Sequence, residues 1–189
     1  FVKKSLDLLT RRQTNILSAA FIIMATVLLS QLLGLIRNRL LVATFETEQV
    51  GVYFFATLLP DTLFQLTIAA ALSSAFIPVF SQYLTKGQEK EGHKMAATLL
   101  VVGLSAFSLL SVVLMLSAPL ILQLFNLGGN FTTEQMTMMA NLMRIILLGQ
   151  LFFIIGTFFT ALLQSYNHFF IPGIAAATYN LGTIIGIFF

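Results

Sequence analysis

Five long apolar stretches, at about 15–43, 48–84, 95–126, 136–166 and 169–189, fill nearly all of this chain. A helix crosses a hydrocarbon core about 30 Å thick with about 20 apolar residues, so each stretch is long enough to span a bilayer. A helix in water needs a polar face toward solvent, and these stretches hold too few polar residues to make one. Of the 189 residues 58% are hydrophobic and 9% charged, where an average soluble domain carries about 25% charged residues. The expectation is an all-α, polytopic membrane helix bundle. Composition alone excludes most enzymes of water-soluble metabolites.

Motifs for chemistry are missing as well. There is no cysteine, so neither disulfides nor thiolate metal sites enter. His93 and His168 fall in polar connections far apart in sequence, which argues against a histidine metal site. No Gly-rich phosphate loop, paired catalytic carboxylates or Ser/His/Asp arrangement is present, so the reading is a transporter with no cofactor, not an enzyme. The chain begins at Phe1 and its last apolar run reaches Phe189; both ends read as cut, which makes the expected object a fragment. The first apolar run is too long for a signal-peptide core and is expected to stay as a span.

The few charges set the topology. Lys3, Lys4, Arg11 and Arg12 precede span 1, and Lys86, Lys90 and Lys94 lie between spans 2 and 3. The connection after span 1 carries Glu46 and Glu48, and the one after span 3 only Glu134. Lysine and arginine in short loops mark the cytoplasmic side, so the N-terminus is expected in the cytoplasm, with 44–49 and 127–134 outside. This explains the basic N-terminus without nucleic acid. Residues 1–13 mix Val2, Leu6, Leu8 and Leu9 with basic residues, as in a short interfacial helix.

Local breaks come next. Span 2 is long and holds Pro60 and Pro78; proline removes a helical hydrogen bond and clashes with the preceding turn. A break or bend is expected between Leu59 and Leu66, either as a packing kink or as a broken helix beside a substrate cavity shared with the Gly34 face of span 1. Gly128 and Gly129 suit a helix stop, and Thr132 or Thr133 with Glu134 suits the next N-cap. A further turn is expected at Asn167-His168, with Pro172 in the first turns of span 5.

Charges inside spans are the candidate functional residues, because they are costly there. Arg37 and Arg39 sit at the non-cytoplasmic end of span 1, against the charge bias. Arg39, near Glu46, reads as snorkelling to the interface. Arg37 lies deeper, and Ser30, Gln31 and Gly34 nearby make a small, polar helix face. Two readings stand: a snorkelling arginine, or one facing a water-filled cavity. Asp61, after Pro60, reads as a structural ion pair with Arg37 or as a proton- or cation-coupling group. Arg144, in span 4, reads as snorkelling or as an interhelical bond.

Four segments carry a resemblance. Ser30-Gln31-Leu32-Leu33-Gly34-Leu35-Ile36-Arg37-Asn38 resembles the SRxLGxxRD signature of MviN/MurJ-type lipid II flippases. Tyr53-Phe54-Phe55-Ala56-Thr57-Leu58-Leu59-Pro60-Asp61 resembles that family's DAFFxAxxxPN segment, and Ala71-Leu72-Ser73-Ser74-Ala75-Phe76-Ile77-Pro78-Val79-Phe80 its GAFSxAFVPxF segment. Residues 161–169 with Pro172 and Asn180-Leu181-Gly182 are similar to its LNxxxRF pattern and the following P and LLNI positions. The likeness covers nearly the whole chain in one register.

The resemblance implies most of one lobe of a two-lobed alternating-access transporter in the bacterial inner membrane. Its cargo would be undecaprenyl-pyrophosphate-linked peptidoglycan precursor, with membrane lipids and other cell-wall synthesis or division proteins as further partners. Arg37 carries over as a pyrophosphate ligand, for which a guanidinium's planar, permanently charged fork is suited; Ser30, Gln31, Gly34 and Asp61 complete the expected substrate-binding set, with Pro60 and Pro78 as hinge positions. The chain also departs from the pattern. Gln31 replaces the signature's first arginine, Phe64-Gln65 a basic pair, Val52 an aspartate, and Asp61 an asparagine. Those departures leave two alternatives beside the flippase: an exporter of another lipid-linked oligosaccharide, and a transport-inactive membrane scaffold.

Overall fold

The computed structural model describes residues 16–125, 129 and 131–189. The interfacial helix expected over 1–13 and the helix stop expected at Gly128 lie outside the described residues. The elements are α1 (Ile16–Thr44), α2 (Thr47–Phe64), two π-helical turns (Gln65–Ala69 and Leu72–Phe76), α3 (Ile77–Thr85), α4 (Glu89–Phe125), α5 (Thr133–Ser165) and α6 (Phe170–Ile187). Among the described residues these give five spans long and apolar enough to cross a membrane, Ala20–Thr44, Thr47–Thr85, Glu89–Phe125, Thr133–Ser165 and Phe170–Ile187. Their outward faces are apolar, as lipid requires: Leu66, Leu116 and Phe152 are all largely exposed.

The spans are separated by short, locally encoded stops. Span 2 ends in a Schellman turn, in which the Gln88 N–H reaches the Tyr83 carbonyl at 2.9 Å and that of Gly87 reaches Leu84 at 3.2 Å; Gly87 takes φ +70°, a left-handed conformation that glycine adopts without strain. The stop of α5 is built the same way on Asn167, at φ +61°, with His168 donating to Leu163 and Asn167 to Gln164, both at 2.9 Å. At the start of α5 the Thr132 hydroxyl accepts from the Gln135 N–H at 3.2 Å while the Gln135 side chain accepts from the Thr132 N–H at 2.8 Å. This is a reciprocal capping box, with Gln135 as the partner where Glu134 was expected. The α4 helix begins at Glu89, earlier than the apolar run, so Lys90, His93 and Lys94 are helical and His93 packs edge-on against Phe80 at 5.7 Å.

The second span departs from α-helical geometry downstream of Pro60. The α-helix runs through the buried Pro60 to Phe64, and the widened turns occupy 65–69 and 72–76, closed by Ala70 N–H to Gln65 O and Ile77 N–H to Leu72 O. The second widened turn lies just ahead of Pro78, where it gives room to the carbonyl a proline ring would otherwise strike. Hydroxyls cover carbonyls along this stretch: Thr62 donates to Leu58 at 2.7 Å, Thr67 to Leu63 at 2.6 Å, and Ser74 to Ala70 at 2.6 Å. Such local partners make proline tolerable in lipid.

The chain divides into two compact units, one of the residues up to Glu46 with Phe159–Phe189, the other Thr47–Phe158. In the first, α1 and α6 run side by side in the same direction, with Thr26 against Gly173 and Gly34 against Asn180. In the second, α2, α4 and α5 enclose a core of Val52, Ala56, Ala118, Leu122, Met139, Ala140, Met143 and Leu147. Aromatic contacts extend that core, Phe64 meeting Phe107 and Phe153 edge-on, and Phe76 lying on Phe80 and Phe158.

Candidate functional site

The candidate site of the first unit is built on one stripe of α1. Thr26, Ser30, Gly34 and Arg37 recur at helical spacing and so share a face. Small residues on this face let α6 approach closely, the usual means of helix association in lipid. At the nearest point a Cβ built on Gly173 would overlap the Thr26 side chain. One turn or two further along, the buried Asn180 turns its amide to α1, donating from Nδ2 to the Ser30 carbonyl at 2.9 Å and the Ser30 hydroxyl at 3.2 Å.

Arg37 lies at the C-terminal end of this stripe and is half-buried. Its Nε and Nη2 both donate to the Asn38 side-chain oxygen, at 3.2 and 3.0 Å, and its guanidinium carbon stands 5.7 Å from the centre of the Tyr179 ring. That is within cation–π range. One neutral acceptor and one ring face hold the group in place without neutralising it. Gln31 is exposed and lines, with Ser30, Thr26, Gln164 and Phe169, a cavity of about 490 Å³ between α1 and α6.

Asp61 belongs to the second unit. It is exposed, and its Oδ1 accepts a 2.7 Å hydrogen bond from Gln150 Nε2. With Thr57, Thr62 and Gln65 it lines a second cavity, also of about 490 Å³. Arg144 makes an interhelical bond: its Nε donates to the Met115 carbonyl at 3.2 Å and its Nη1 to Asn141 at 3.1 Å.

Of the expected substrate-binding set, Ser30 and Gly34 thus meet at Asn180, Arg37 sits beside Tyr179, Gln31 lines the first cavity, and Asp61 lies with Gln150. Asn180, Tyr179 and Gln150 were not expected as site residues. Their signal was there for Asn180 and Gln150: an amide inside an apolar span needs an interhelical partner. Among the described residues no group of three or more His, Cys, Asp or Glu side chains could hold a metal ion.

Five apolar spans, with polar side chains paired across helices inside them, define a multi-pass membrane protein. The family model described as lipid II flippase MurJ matches residues 41–189, and the chain belongs to that family. It is similar to the probable lipid II flippase MurJ of Buchnera aphidicola subsp. Schizaphis graminum, at 23% identity over 93% of this chain and 34% of the relative. Its likeness to the lipid II flippase MurJ of Thermosipho africanus is 29% over 92% of this chain and 36% of the relative. For the lipid II flippase MurJ of Burkholderia cenocepacia the figures are 25%, 93% and 34%. The chain therefore spans about a third of the length of the curated relatives it matches. No solved structure matches it.

Proposed function

We propose that this chain is the N-terminal membrane part of a flippase that carries undecaprenyl-pyrophosphate-linked peptidoglycan precursor across the bacterial inner membrane by alternating access. The observation that carries this reading is Arg37. It is a half-buried guanidinium, positioned by Asn38 and Tyr179 on the polar stripe of α1 with Ser30, Gly34 and the Gln31 cavity, in a chain whose relatives are named for lipid II. An arginine so held meets no counter-charge there and, with Nε and Nη2 turned to Asn38, has its Nη1 edge left for a pyrophosphate. The role of this lobe is to bind and orient that group; no bond is made or broken in the cargo.

The test is complementation of a flippase-depleted strain by the full-length protein. Arg37→Ala abolishes growth at normal membrane levels, and Arg37→Lys restores it only in part, since an ammonium loses the planar fork. Full growth with Arg37→Ala would remove the reading. The departures at Gln31, Val52 and Phe64-Gln65 support a second reading, an exporter of a different lipid-linked oligosaccharide. Under it, the strain fails to grow with the unaltered chain while export of another polymer depends on Arg37.

A further inference from the structure

The cavity of about 490 Å³ in the first unit is walled by α1, the last turn of α5 and the start of α6. Its volume falls within the about 300–1,000 Å³ of small-molecule sites and far exceeds the room that one buried water needs. Two carboxamides face it from different helices, Gln31 of α1 and Gln164 of α5. Among the described residues neither side chain makes a hydrogen bond. The Ser30 hydroxyl lines the same space; it accepts from Asn180 Nδ2 at 3.2 Å and has its own proton to give. Amides at membrane depth are costly without partners, so whatever fills this cavity has to pair with them.

The lining decides the chemical class of that occupant. No ionisable side chain borders the cavity, and a charged group entering it would lose water without meeting a counter-charge. An acyl chain would leave both amides unpaired. What fits is an uncharged group that carries its own donors and acceptors and has an apolar face to set against Phe169, Pro172 and Val27. A carboxamide both donates and accepts, so it pairs reciprocally with an acylamino group, N–H to oxygen and oxygen to N–H. Ser30 precedes Arg37 by seven residues, two helical turns and about 10 Å at 1.5 Å per residue. The two share one face of α1, at a separation that a sugar joined to a pyrophosphate bridges.

We infer that this cavity binds the N-acylated sugar of the cargo, with Gln31 and Gln164 reading the acylamino group and Phe169 lying against the ring. The inference rests on the pyrophosphate-linked cargo proposed above and divides that cargo in two: Arg37 takes the anionic linkage and the neutral cavity takes the sugar beside it. Gln31 stands where the resembled signature has its first arginine. At this position the chain thus replaces a phosphate-seeking charge with a group that distinguishes one sugar from another.

The experiment takes the full-length protein in lipid nanodiscs and measures its affinity for three carriers: undecaprenyl pyrophosphate bearing N-acetylglucosamine, the same carrier bearing glucose, and the bare carrier. Expected is binding of the N-acetylglucosamine form about tenfold tighter than the glucose form, the effect of one net hydrogen bond. Gln31→Leu and Gln164→Leu each bring that ratio close to one. Arg37→Ala weakens all three carriers and keeps the ratio. Equal affinity of the unaltered protein for the N-acetylglucosamine and glucose forms would mean that water alone satisfies the amides and would overturn the sugar site, while the pyrophosphate reading stood. An unchanged ratio in both glutamine variants would overturn it equally. Failure of all three carriers to bind would remove the pyrophosphate reading, and the sugar site with it.

Discussion

Arg144 Nε donates at 3.2 Å to the carbonyl of Met115, the carbonyl whose helical donor Pro119 removes. In a regular helix the N–H of residue 119 would bond that oxygen, and proline has none. Without Arg144 the carbonyl would face lipid-depth surroundings unpaired, a cost of about 1–3 kcal/mol. The arginine therefore repairs the proline from a neighbouring helix, which explains a charge inside span 4 without assigning it to the cargo.

A double-mutant cycle checks that relationship. Arg144→Leu lowers stability by about 1–3 kcal/mol, whereas Arg144→Leu with Pro119→Ala loses clearly less, because an alanine in place of the proline supplies the missing N–H. The readout is thermal unfolding in detergent. Additive losses would mean that Arg144 and Pro119 are unrelated.

The meeting of Thr26 and Gly173 sets how closely α1 and α6 can pack. Gly173→Ala overlaps Thr26 and costs about 1–3 kcal/mol, the usual penalty of overpacking, and Thr26→Gly in the same chain recovers most of it. Gly34→Ala, by contrast, brings its Cβ only to 3.8 Å from Asn180 and leaves stability nearly unchanged. Melting temperatures of the four chains decide the matter.

Asn180 joins α6 to Ser30 by donating, so the sign of its replacement matters. Asn180→Ala loses an interhelical bond worth about 0.6 kcal/mol on average in a membrane protein. Asn180→Asp sets an acceptor against the Ser30 carbonyl and lowers folded protein further than Ala does. Equal levels of the two variants, measured as membrane-extracted monodisperse protein, would show that the amide donor contributes nothing.

The loop charges predict that positions 47 and 130 face outside and Gln88 inside. In this cysteine-free stretch, Thr47→Cys and Asn130→Cys react with an impermeant maleimide in intact cells and Gln88→Cys does not. Labelling at Gln88 would invert the topology.

Much of the architecture is local and so could be read directly from the residues. Span number follows from apolar runs, because lipid demands about 20 such residues per crossing, and the stop at Asn167 follows from turn chemistry that acts within a few residues. The cap of α5 was legible to within one residue: Thr132 or Thr133 was expected with Glu134, and the structure pairs Thr132 with Gln135. The position of the irregularity in span 2 was not readable from Pro60 alone, because widened turns at 65–76 depend on how Pro78 and the hydroxyls along the helix share carbonyls.

What only the tertiary structure decided is which polar groups meet. Asn180 reaches Ser30, Gln150 reaches Asp61 and Arg144 reaches Met115 across 150, 89 and 29 residues of chain. Apolar periodicity says that each such group must turn inward, since lipid offers it no partner. It says nothing about the rotation and register of the facing helix, which are set by small-residue contacts such as Thr26 on Gly173 and by the packing of Met139, Met143 and Leu147 against α2 and α4. The membrane class and the order of the spans are therefore properties of the sequence, while the pairing of Arg37 with Tyr179 and of Asp61 with Gln150 exists only once the helices have packed.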